Sequence, residues 1–377
     1  MTVQITDAFD GGNIVVRSLE NLEQIQLEIR KDAQSDFYQW FYYRLSGARG
    51  QECVMKLTNA GGAAYAPGWT GYQAVASYDR KTWFRVATSY RDGALTIRHR
   101  PERDAVYYAY FAPYSMERHA DLISRMIMDA RVRLTVPGRT LDGQDLDVLE
   151  IGNSDRARAK KIWVIGRQHP GETMAEWLIE GMLERLLDRN DPVARVLLEK
   201  AVFYVAPNMN PDGSRRGHLR TNAVGTNLNR AWAEPDLKTS PEVFLIRAEM
   251  QKTGLDFCLD VHGDEELPYN FVATAQGIPS WDDRLHDLTE RYKTALVAAS
   301  PDFQTEKGYP SVAPGKANLT MCTSWVSEHF KALALTLEQP FKDTTATASP
   351  VYGWSPARAK ILGRAQLDAV FAVIDQL

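Results

Sequence analysis

The chain has 377 residues, of which 44% are hydrophobic and 24% are charged, and its formal net charge is −4 at pH 7. This composition is typical of a globular protein with a large core and excludes wholesale disorder. The sequence has no run of Lys or Arg and no segment near the ~20 apolar residues of a membrane span, so we expect neither nucleic acid nor membrane as a partner.

The cysteines and the first residues indicate the compartment. Cys53, Cys258 and Cys322 are odd in number and far apart, which fits neither a disulfide framework nor a cysteine metal site. The opening MTVQITDAFDGGNIVV lacks the basic start and apolar core of a signal peptide. We therefore expect reduced thiols and a cytoplasmic protein, whereas the oligomeric state is not constrained by the sequence.

Residues 1–115 are rich in Val, Ile, Tyr, Phe and Trp, in short runs separated by Gly, Asn, Asp and Pro. Several runs alternate apolar and polar residues, which is the period of a half-buried strand. The pattern predicts an antiparallel sandwich or barrel, and we assign this domain as a small all-β sandwich. The runs are NIVVRS, IQLEIRK, FYQWFYYRLSG, ECVMKLTN, YQAVASYD, KTWFRVATSY, ALTIRHR and AVYYAYFAP.

The aromatic side chains of this domain admit two interpretations. They either line a ligand groove or fill the core between two sheets, and the second is the more frequent use of such residues in strands. We expect core packing for the group, which comprises Phe37, Trp40, Phe41, Tyr42, Tyr43, Trp83 and Phe84.

A second domain is predicted for residues 116–377, because the periodicity changes there. The run MERHADLISRMIMDAR has helical spacing, and apolar strand-like runs then alternate with amphipathic helical runs. Helices between buried strands indicate an α/β domain whose sheet is covered on both faces. The strand-like runs are KIWVIG, AVFYVAP, DFCLDVH and LALTLEQ.

Three candidate metal ligands follow strands of this domain. His169 and Glu172 come directly after KIWVIG, and His262 ends DFCLDVH. Because functional residues of open α/β sheets collect at the carboxyl ends of strands, we expect the three side chains to converge. Two imidazoles and a carboxylate suit a zinc ion that keeps a position for water and lowers its pKa towards ~7. Considered alone, Glu172 also fits the role of a carboxylate in the first turn of a helix, which the helix dipole favours. His262 alone also fits that of an ordinary histidine at the end of a strand.

Two further segments carry candidate chemistry. The loop 208–232, NMNPDGSRRGHLRTNAVGTNLNRAW, is dense in Arg and Asn. It is either a solvated basic loop or a carboxylate-binding site, since long loops without structure are usually functional and guanidinium groups bind carboxylates bidentately. Glu338 ends the apolar run LALTLEQ, where it serves either as a helix cap or as a general base.

The segments HPGET, NPDG, GTNLNRAW, DVHGDE and LTLEQPF, in this order over 169–341, resemble the zinc carboxypeptidase family and most closely its cytosolic carboxypeptidase branch. That branch also has a small β-sandwich before its catalytic domain. The resemblance implies a mixed eight-stranded sheet flanked by helices in the catalytic domain 116–377. The compact chain is similar to a bacterial member, and the implied reaction removes one amino acid from the C-terminus of a peptide or protein tail.

The same resemblance implies the roles of particular residues. One zinc ion is bound by His169, Glu172 and His262, and Glu338 is the general base and acid. Arg220, in GHLRTN, polarises the scissile carbonyl and stabilises the oxyanion.

Asn229 and Arg230, in NLNR, match the pair that binds the substrate's terminal carboxylate. Asn227 stands beside them where the family usually has an aspartate. An amide at that position accepts a hydrogen bond from a zinc histidine but adds no charge that raises ligand basicity.

Two other positions depart from the family pattern. The family's mobile tyrosine has no evident match: gapless counting from Trp325 puts Lys316 there, and the nearby Tyr309 stays unassigned. The same counting puts Thr323, a small and mildly polar residue, at the specificity position.

The substrate and two alternative functions stay open. Eukaryotic relatives of this branch remove glutamates from acidic tails, and Arg215 and Arg216 are compatible with an acidic side chain. One alternative is a deacylase of N-acyl amino acids that uses the same zinc ligands. The other is a non-catalytic binding protein whose sandwich recognises a glycan or partner through SYDRKTWFRV.

Overall fold

Two five-stranded sheets form the first part of the chain in the computed structural model, which describes residues 2–153 and 158–377. The ten strands of that described part are β1 (Gln4–Thr6), β2 (Val15–Ser18), β3 (Ile25–Glu28), β4 (Tyr42–Ser46), β5 (Cys53–Leu57), β6 (Val75–Ser77), β7 (Phe84–Arg85), β8 (Ala87–Arg91), β9 (Ala94–His99) and β10 (Ala105–Ala109). One sheet has the order β1-β4-β10-β6-β7 and the other has the order β2-β3-β5-β9-β8.

The two sheets face each other as a sandwich. Tyr43 Oη on β4 donates to Met55 Sδ on β5 over 3.2 Å, and His99 Nδ1 on β9 lies 2.8 Å from Tyr108 Oη on β10. Most of the aromatic group is buried, but not all of it lies between the two sheets: Tyr43 faces the other sheet, whereas Tyr42, next to it on β4, points to the opposite face and contacts Trp83 there with ring centroids 6.0 Å apart. The members that are at most 5% exposed are Trp40, Phe41, Tyr42, Tyr43 and Trp83.

The strand pairing differs from the predicted one in two respects. KTWFRVATSY, which reads as one strand in the sequence, is divided at Val86 into β7, which pairs with β6, and β8, which pairs with β9 in the other sheet. A bend of this kind lets one apolar run serve both layers of a sandwich. In addition β3 and β5 run parallel, so the sandwich is not wholly antiparallel.

The second part of the chain is built from helices and one large sheet. The strands are β11 (Val132–Thr135), β12 (Val148–Ile151), β13 (Lys160–Gly166), β14 (Ala201–Ala206), β15 (Phe257–Val261), β16 (Phe271–Thr274) and β17 (Leu333–Glu338). The helices are α1 (Met116–Met126), α2 (Met174–Leu186), α3 (Pro192–Lys200), α4 (Pro211–Arg216), α5 (Pro241–Thr253), α6 (Asp283–Ala299), α7 (Cys322–Phe330) and α8 (Pro356–Val373).

The sheet has the order β11-β12-β14-β13-β15-β17-β16. Strands β14, β13, β15 and β17 run parallel, whereas β11, β12 and β16 are antiparallel to their neighbours. The predicted mixed α/β class is confirmed, with seven strands in the described residues instead of eight. The chain passes from β13 to β14 on one side and returns to β15 on the other, so a crevice opens beyond the carboxyl ends of β13 and β15.

Alternate residues of β13 show the layers. Ile162 and Val164 belong to the hydrophobic cluster that contains residues of α2, α6, α8 and the sandwich, whereas Trp163 and Ile165 belong to the cluster formed with α5 and α7. All four are at most 1% exposed. Because both faces of the strand are covered, its sequence is a continuous apolar run instead of an alternating one.

The sandwich and the α/β part share a packed interface. Tyr110 stacks on Phe341 with ring centroids 4.3 Å apart, and Arg85 donates to the Phe341 carbonyl over 2.9 Å. Trp177 Nε1 on α2 donates to the Ala112 carbonyl over 3.0 Å. Strand β10 ends at Ala109 and α1 begins at Met116, one on each side of the predicted boundary. The contacts above therefore join residues of the two predicted domains. This packing brings sandwich residues to the edge of the crevice.

In the part of the chain that the structure describes, none of the helices has the length and apolar character needed to cross a bilayer.

Candidate active site

The three candidate metal ligands meet at the crevice. Glu172 Oε1 is 2.7 Å from His169 Nδ1, and Glu172 Oε2 is 2.8 Å from His262 Nδ1. The two Nδ1 atoms are 3.2 Å apart. The three side chains are 2–4% exposed. Strands β13 and β15 are neighbours and parallel, so the turns that follow them place these residues side by side.

The donor set fits one divalent cation. Two zinc ligands at ~2.0–2.1 Å in a tetrahedral site are separated by roughly 3.3 Å, which matches the distance between the two Nδ1 atoms. Among the described residues, these three form the one group of His, Cys, Asp or Glu side chains whose donor atoms all lie within 4.8 Å of one another.

The electrostatics of the cluster also favour a cation. Burial and the nearby Arg220 lower the pKa of His169 to about 4, so its imidazole is neutral and offers a lone pair. Burial disfavours a charge on His262, but the Asp260 and Glu172 carboxylates raise its pKa well above the usual value. The buried carboxylates therefore favour positive charge between the two rings, which a metal ion supplies.

A strained turn carries His169 and Glu172. Arg167, directly after β13, has φ +59°, in the left-handed region that non-glycine residues rarely adopt. Its guanidinium holds the turn, since Nε donates to the Pro170 carbonyl over 2.9 Å and Nη1 donates to the Tyr114 carbonyl over 2.8 Å. The turn is thereby fixed before any ligand binds, although no sequence motif indicates this role of Arg167.

Each histidine has a partner on its second nitrogen. Asn227 Oδ1 lies 3.1 Å from His169 Nε2, the contact that the sequence predicts for this amide. Asp260 Oδ2 lies 2.9 Å from His262 Nε2 and accepts from Gln168 Nε2 over 2.7 Å. Such partners fix the ring orientation of metal-binding histidines. Sequence reasoning missed Asp260, although its position two residues before His262 puts both side chains on one face of the chain.

Glu338 lies next to these ligands at the end of β17. The strands β15 and β17 pair in register, and the His262 amide donates to the Leu337 carbonyl over 2.8 Å. This backbone bond between the two strands sets the Glu338 carboxyl beside His262. The Glu338 side chain is buried, and its Oε2 has no hydrogen-bond partner among the described residues.

The environment of Glu338 suits proton transfer. Burial raises the pKa of Glu338 to about 8, with His262 opposing this shift and Glu172 adding to it. Its carboxyl group therefore holds a proton more readily than an exposed glutamate does. A group in this state is suited to take up and return a proton.

Arg220 and Arg230 form an unneutralised pair of guanidinium groups. Burial and, after it, the charge of Arg220 lower the pKa of Arg230, as expected for two neighbouring guanidinium groups. Neither forms an ion pair with a carboxylate of the described chain, and Arg220 Nε is buried without a partner there. Two adjacent cations of this kind suit the binding of an anionic group.

The segment that carries Asn229 and Arg230 is tied to the metal cluster. Asn227 Oδ1, which faces His169, also accepts from the Asn229 amide over 3.1 Å. Asn229 Oδ1 accepts from the Cys322 amide at the start of α7 over 2.8 Å. Asn227 therefore links the orientation of His169 to the position of Asn229 and Arg230.

The basic loop 208–232 is more ordered than the sequence indicates. It contains helix α4, for which Asn210 Oδ1 accepts from the Gly213 amide over 3.0 Å as an N-cap. Arg216, a candidate for acidic side chains, is paired with Asp142 at 2.6 Å, while Arg215 is exposed. The Arg216 guanidinium is thus already engaged by the protein.

A cavity of about 430 Å³ opens near the end of β17, two residues from Glu338, although neither Glu338 nor the metal cluster lines it. Thr336, two residues before Glu338 on β17, and Thr323 on α7 both line it, and their Oγ1 atoms are 2.5 Å apart. Alternate residues of a strand share a face, so Thr336 and Glu338 point to the same side of the sheet. The charged residues that line the cavity are Lys293, Glu306, Lys307 and Lys316.

Tyr309, which the sequence left unassigned, lines the same cavity. Its Oη donates to Asp264 Oδ2 over 2.6 Å, so the hydroxyl end is held inside, although the residue as a whole is 49% exposed. Burial, Glu338 and Asp264 raise the pKa of Tyr309, so the phenol stays protonated near these carboxylates. Lys316, on which the gapless counting falls, also lines the cavity, so the cavity lining does not decide between the two residues for the substrate-side position.

Comparison with known proteins defines the family. Residues 127–367 match the zinc carboxypeptidase family, and residues 5–111 match the cytosolic carboxypeptidase N-terminal domain. The chain therefore belongs to the zinc carboxypeptidase family and is a hydrolase of the metallocarboxypeptidase class. The match over 5–111 places it with the cytosolic carboxypeptidase branch, as the sequence motifs predict.

Relatives of known structure cover the whole chain. A metallo-carboxypeptidase from Burkholderia cenocepacia is 45% identical, with a TM-score of 0.97 and 100% of both chains covered. A metallo-carboxypeptidase from Pseudomonas aeruginosa, in complex with (2-guanidinoethylmercapto)succinic acid, is 44% identical, with a TM-score of 0.96 and 99% of each chain covered. Mouse cytosolic carboxypeptidase 6 is 32% identical over 184 residues, which are 45% of this chain and 34% of that protein.

Proposed function

We propose that the protein is a zinc-dependent carboxypeptidase that hydrolyses the C-terminal peptide bond of peptides or protein tails. The observation that carries the proposal is the meeting of three elements at one crevice. They are the buried cluster of His169, Glu172 and His262, the carboxyl of Glu338, whose Oε2 has no partner among the described residues, and the guanidinium pair of Arg220 and Arg230. A zinc ion in the cluster would supply a Lewis acid and a water molecule of lowered pKa.

The residues around the cluster then have distinct tasks. Arg230 and Asn229 bind the terminal carboxylate of the substrate, which makes the enzyme act on the last residue only. Arg220 donates to the carbonyl oxygen of the scissile bond and stabilises the negative charge that develops there. Glu338 accepts the proton of the attacking water and returns a proton to the leaving amine.

We further propose that the enzyme prefers an acidic terminal residue, such as glutamate. The cavity near the end of β17 is lined by Lys293, Lys307 and Lys316 against a single acid, Glu306. Only Lys293 of the three is seen in an ion pair within the described chain, with Glu290 at 2.9 Å. The cavity therefore offers excess positive charge to a substrate side chain.

A peptide library tests the reaction and the preference together. Mass spectrometry before and after incubation should show loss of one C-terminal residue, fastest for glutamate and aspartate, from protein with one zinc per chain. The Glu338→Gln variant should retain zinc and lose about 10²–10⁴-fold in rate. Glu266→Gln is the matched control, since Glu266 is a nearby exposed carboxylate. Equal rates for Glu338→Gln and the unchanged protein would contradict the role of Glu338.

The alternatives are outcomes of the same experiment. Release of amino acids from N-acyl amino acids, with intact peptides left uncut, would identify the deacylase. Partner binding by metal-free protein without any hydrolysis would identify the binding protein.

Lys316→Glu should weaken the acidic preference, and Lys81→Glu, at an exposed bend of the sandwich, is its control.

We also propose that the protein acts in the cytoplasm on the C-termini of peptides or proteins. The supporting observation is that Cys53, Cys258 and Cys322 are all buried free thiols. Cell fractionation with an antibody tests this location, and recovery from a secreted fraction would contradict it.

A further inference from the structure

A carboxylate of the β-sandwich holds the loop that carries Arg220. Asp32, in the turn between β3 and β4, accepts from the Leu219 amide over 2.7 Å through Oδ1. Its Oδ2 accepts from the Arg220 amide over 2.8 Å, and from the Thr221 amide and hydroxyl over 2.8 Å and 3.0 Å. Four donors of three consecutive residues thus converge on one side chain.

The Asp32 carboxylate is specialised for this contact. It is 3% exposed, and no Lys or Arg of the described residues forms an ion pair with it. Its charge is stabilised by successive backbone amides, which form a small anion-binding concavity. Removing the charge would leave those buried amides poorly satisfied and release the loop.

The sandwich also supports the other end of the Arg220 side chain. The guanidinium carbon lies 5.5 Å from the ring centroid of Phe37 and 5.4 Å from that of Tyr65. Both distances are within the range of a cation–π contact. Tyr65 is itself fixed by Gln39, whose Oε1 accepts from the Tyr65 amide over 2.8 Å and whose Nε2 donates to its carbonyl over 3.0 Å.

The turn and the loop interlock at two more points. The Ala33 amide donates to His218 Nε2 over 3.1 Å. Gly225 has φ +83°, and a Cβ atom there would lie 2.4 Å from the Gln34 carbonyl oxygen, so only glycine permits this approach. Backbone and side-chain contacts from the sandwich therefore fix the loop along its length.

We propose that Asp32 is a positioning residue for Arg220, so that the β-sandwich forms part of the active site. This inference rests on the proposed function, in which Arg220 stabilises the oxyanion. Asp32 fixes the backbone of Arg220, and Phe37 and Tyr65 orient its guanidinium towards the metal cluster. Loss of this support should weaken a contact that is made in the transition state, while Asn229 and Arg230 still bind the terminal carboxylate.

Steady-state kinetics on four full-length variants test the inference: Asp32→Asn, Arg220→Ala, the double variant, and Asp36→Asn as control. Asp36 is an exposed carboxylate in the same turn, 97% exposed in its side chain. We expect Arg220→Ala to lower kcat about 10²–10³-fold and Asp32→Asn to lower it roughly 10-fold or more, with KM nearly unchanged. Asp36→Asn should match the unchanged protein.

The double variant separates positioning from a general structural effect. If Asp32 acts through Arg220, adding Asp32→Asn to Arg220→Ala should not lower kcat further. An equal loss in both backgrounds would overturn the inference. A normal kcat for Asp32→Asn, together with a lowered kcat for Arg220→Ala, would also overturn the inference. If Arg220→Ala itself hydrolyses peptides normally, the proposed role of Arg220 fails, and the inference fails with it.

A second variant keeps the test decisive if Asp32→Asn does not fold. Phe37→Leu removes one ring from beneath the guanidinium at a half-buried position, and Phe244→Leu on α5 is an exposed control. Phe37→Leu should lower kcat several-fold, retain one zinc per chain and unfold cooperatively, and the loss should vanish in the Arg220→Ala background. An unchanged kcat for Phe37→Leu would contradict the inference.

Discussion

Asp260 and His262 lie two positions apart, and Asp260 Oδ2 is 2.9 Å from His262 Nε2. The contact leaves His262 Nδ1 turned towards Glu172, at 2.8 Å from its Oε2. A carboxylate on the second ring nitrogen raises the basicity of a metal-binding histidine and fixes its orientation. His262 is therefore prepared for a cation by a residue that does not contact the ion itself.

Asp260→Asn should weaken zinc binding about 10–100-fold, because the amide keeps the size of the carboxylate but loses its charge. Competition with a chromogenic chelator measures the zinc dissociation constant. Asp287→Asn, at an exposed position of α6, is the control and should bind zinc like the unchanged protein. An unaltered dissociation constant for Asp260→Asn would show that the contact does not tune the site.

Asn227→Asp should have the opposite effect at the other histidine. Asn227 Oδ1 lies 3.1 Å from His169 Nε2 and accepts from the Asn229 amide over 3.1 Å, and an aspartate can keep both contacts. The added charge should tighten zinc binding, by about tenfold. The same chelator competition measures the change. Weaker binding by this variant would mean that the neutral amide is required for the local geometry.

Some residues of the site could be predicted from the sequence around them, and others could not. His169 and His262 follow apolar runs that are strands, and parallel strands end at one edge of a sheet, so their meeting could be predicted. Asp260 lay inside such a run and was overlooked, although the two-residue strand period pointed to it. Asp32 gave no local sign, because its partners are 187–189 positions away and belong to the other domain.

Loop geometry and strand count were beyond sequence reasoning for a related reason. Tyr309 and Lys316 lie on one long connection between α6 and α7, and the path of that connection, which the sequence does not give, brings both side chains to the cavity. The division of KTWFRVATSY at Val86 depends on which strands the two halves meet. Such pairing is set by partners remote in sequence.

His119 should make the stability of the protein depend on pH. Its Nδ1 lies 2.7 Å from Glu176 Oε1 and its Nε2 lies 3.1 Å from Asp147 Oδ2, so both nitrogens donate and the ring is an imidazolium. Burial opposes the charge, but the hydrogen bonds to Asp147 and Glu176 raise the pKa of His119 to about 9. The Arg167 guanidinium pairs with Glu176 on the other side.

Because the folded-state pKa is above the unfolded value of about 6.5, the stabilisation is complete below pH 6.5 and is lost as the pH rises through about 9. The loss should be about 3 kcal/mol in the free energy of unfolding. Denaturant titrations between pH 6.5 and 9 measure it. His119→Gln should be less stable at pH 6.5 and should flatten the decline, whereas His286→Gln, at an exposed site, should not. Equal slopes for all three proteins would contradict this assignment.

Gly363 allows helices α2 and α8 to cross closely, and its replacement should destabilise the fold. A Cβ atom at Gly363 would lie 2.0 Å from the Leu178 carbonyl oxygen, and one at Gly181 would lie 2.2 Å from the Lys360 carbonyl oxygen. These neighbours are backbone atoms, which cannot move without separating the helices. Gly363→Ala should therefore lower the free energy of unfolding by about 1–3 kcal/mol, although alanine has the higher helix propensity by about 1 kcal/mol.

Two substitutions in α8 separate packing from helix propensity. Ala372→Gly, at a half-buried position near the end of the same helix, measures the propensity alone and should cost about 1 kcal/mol or less. If propensity governed Gly363, the Gly363→Ala variant would be more stable than the unchanged protein, and thermal unfolding would show a higher Tm. A lower Tm for Gly363→Ala identifies the backbone contact as the cause. Because Glu172 lies just before α2, separation of the helices should also weaken zinc binding, which chelator competition on the same variant measures.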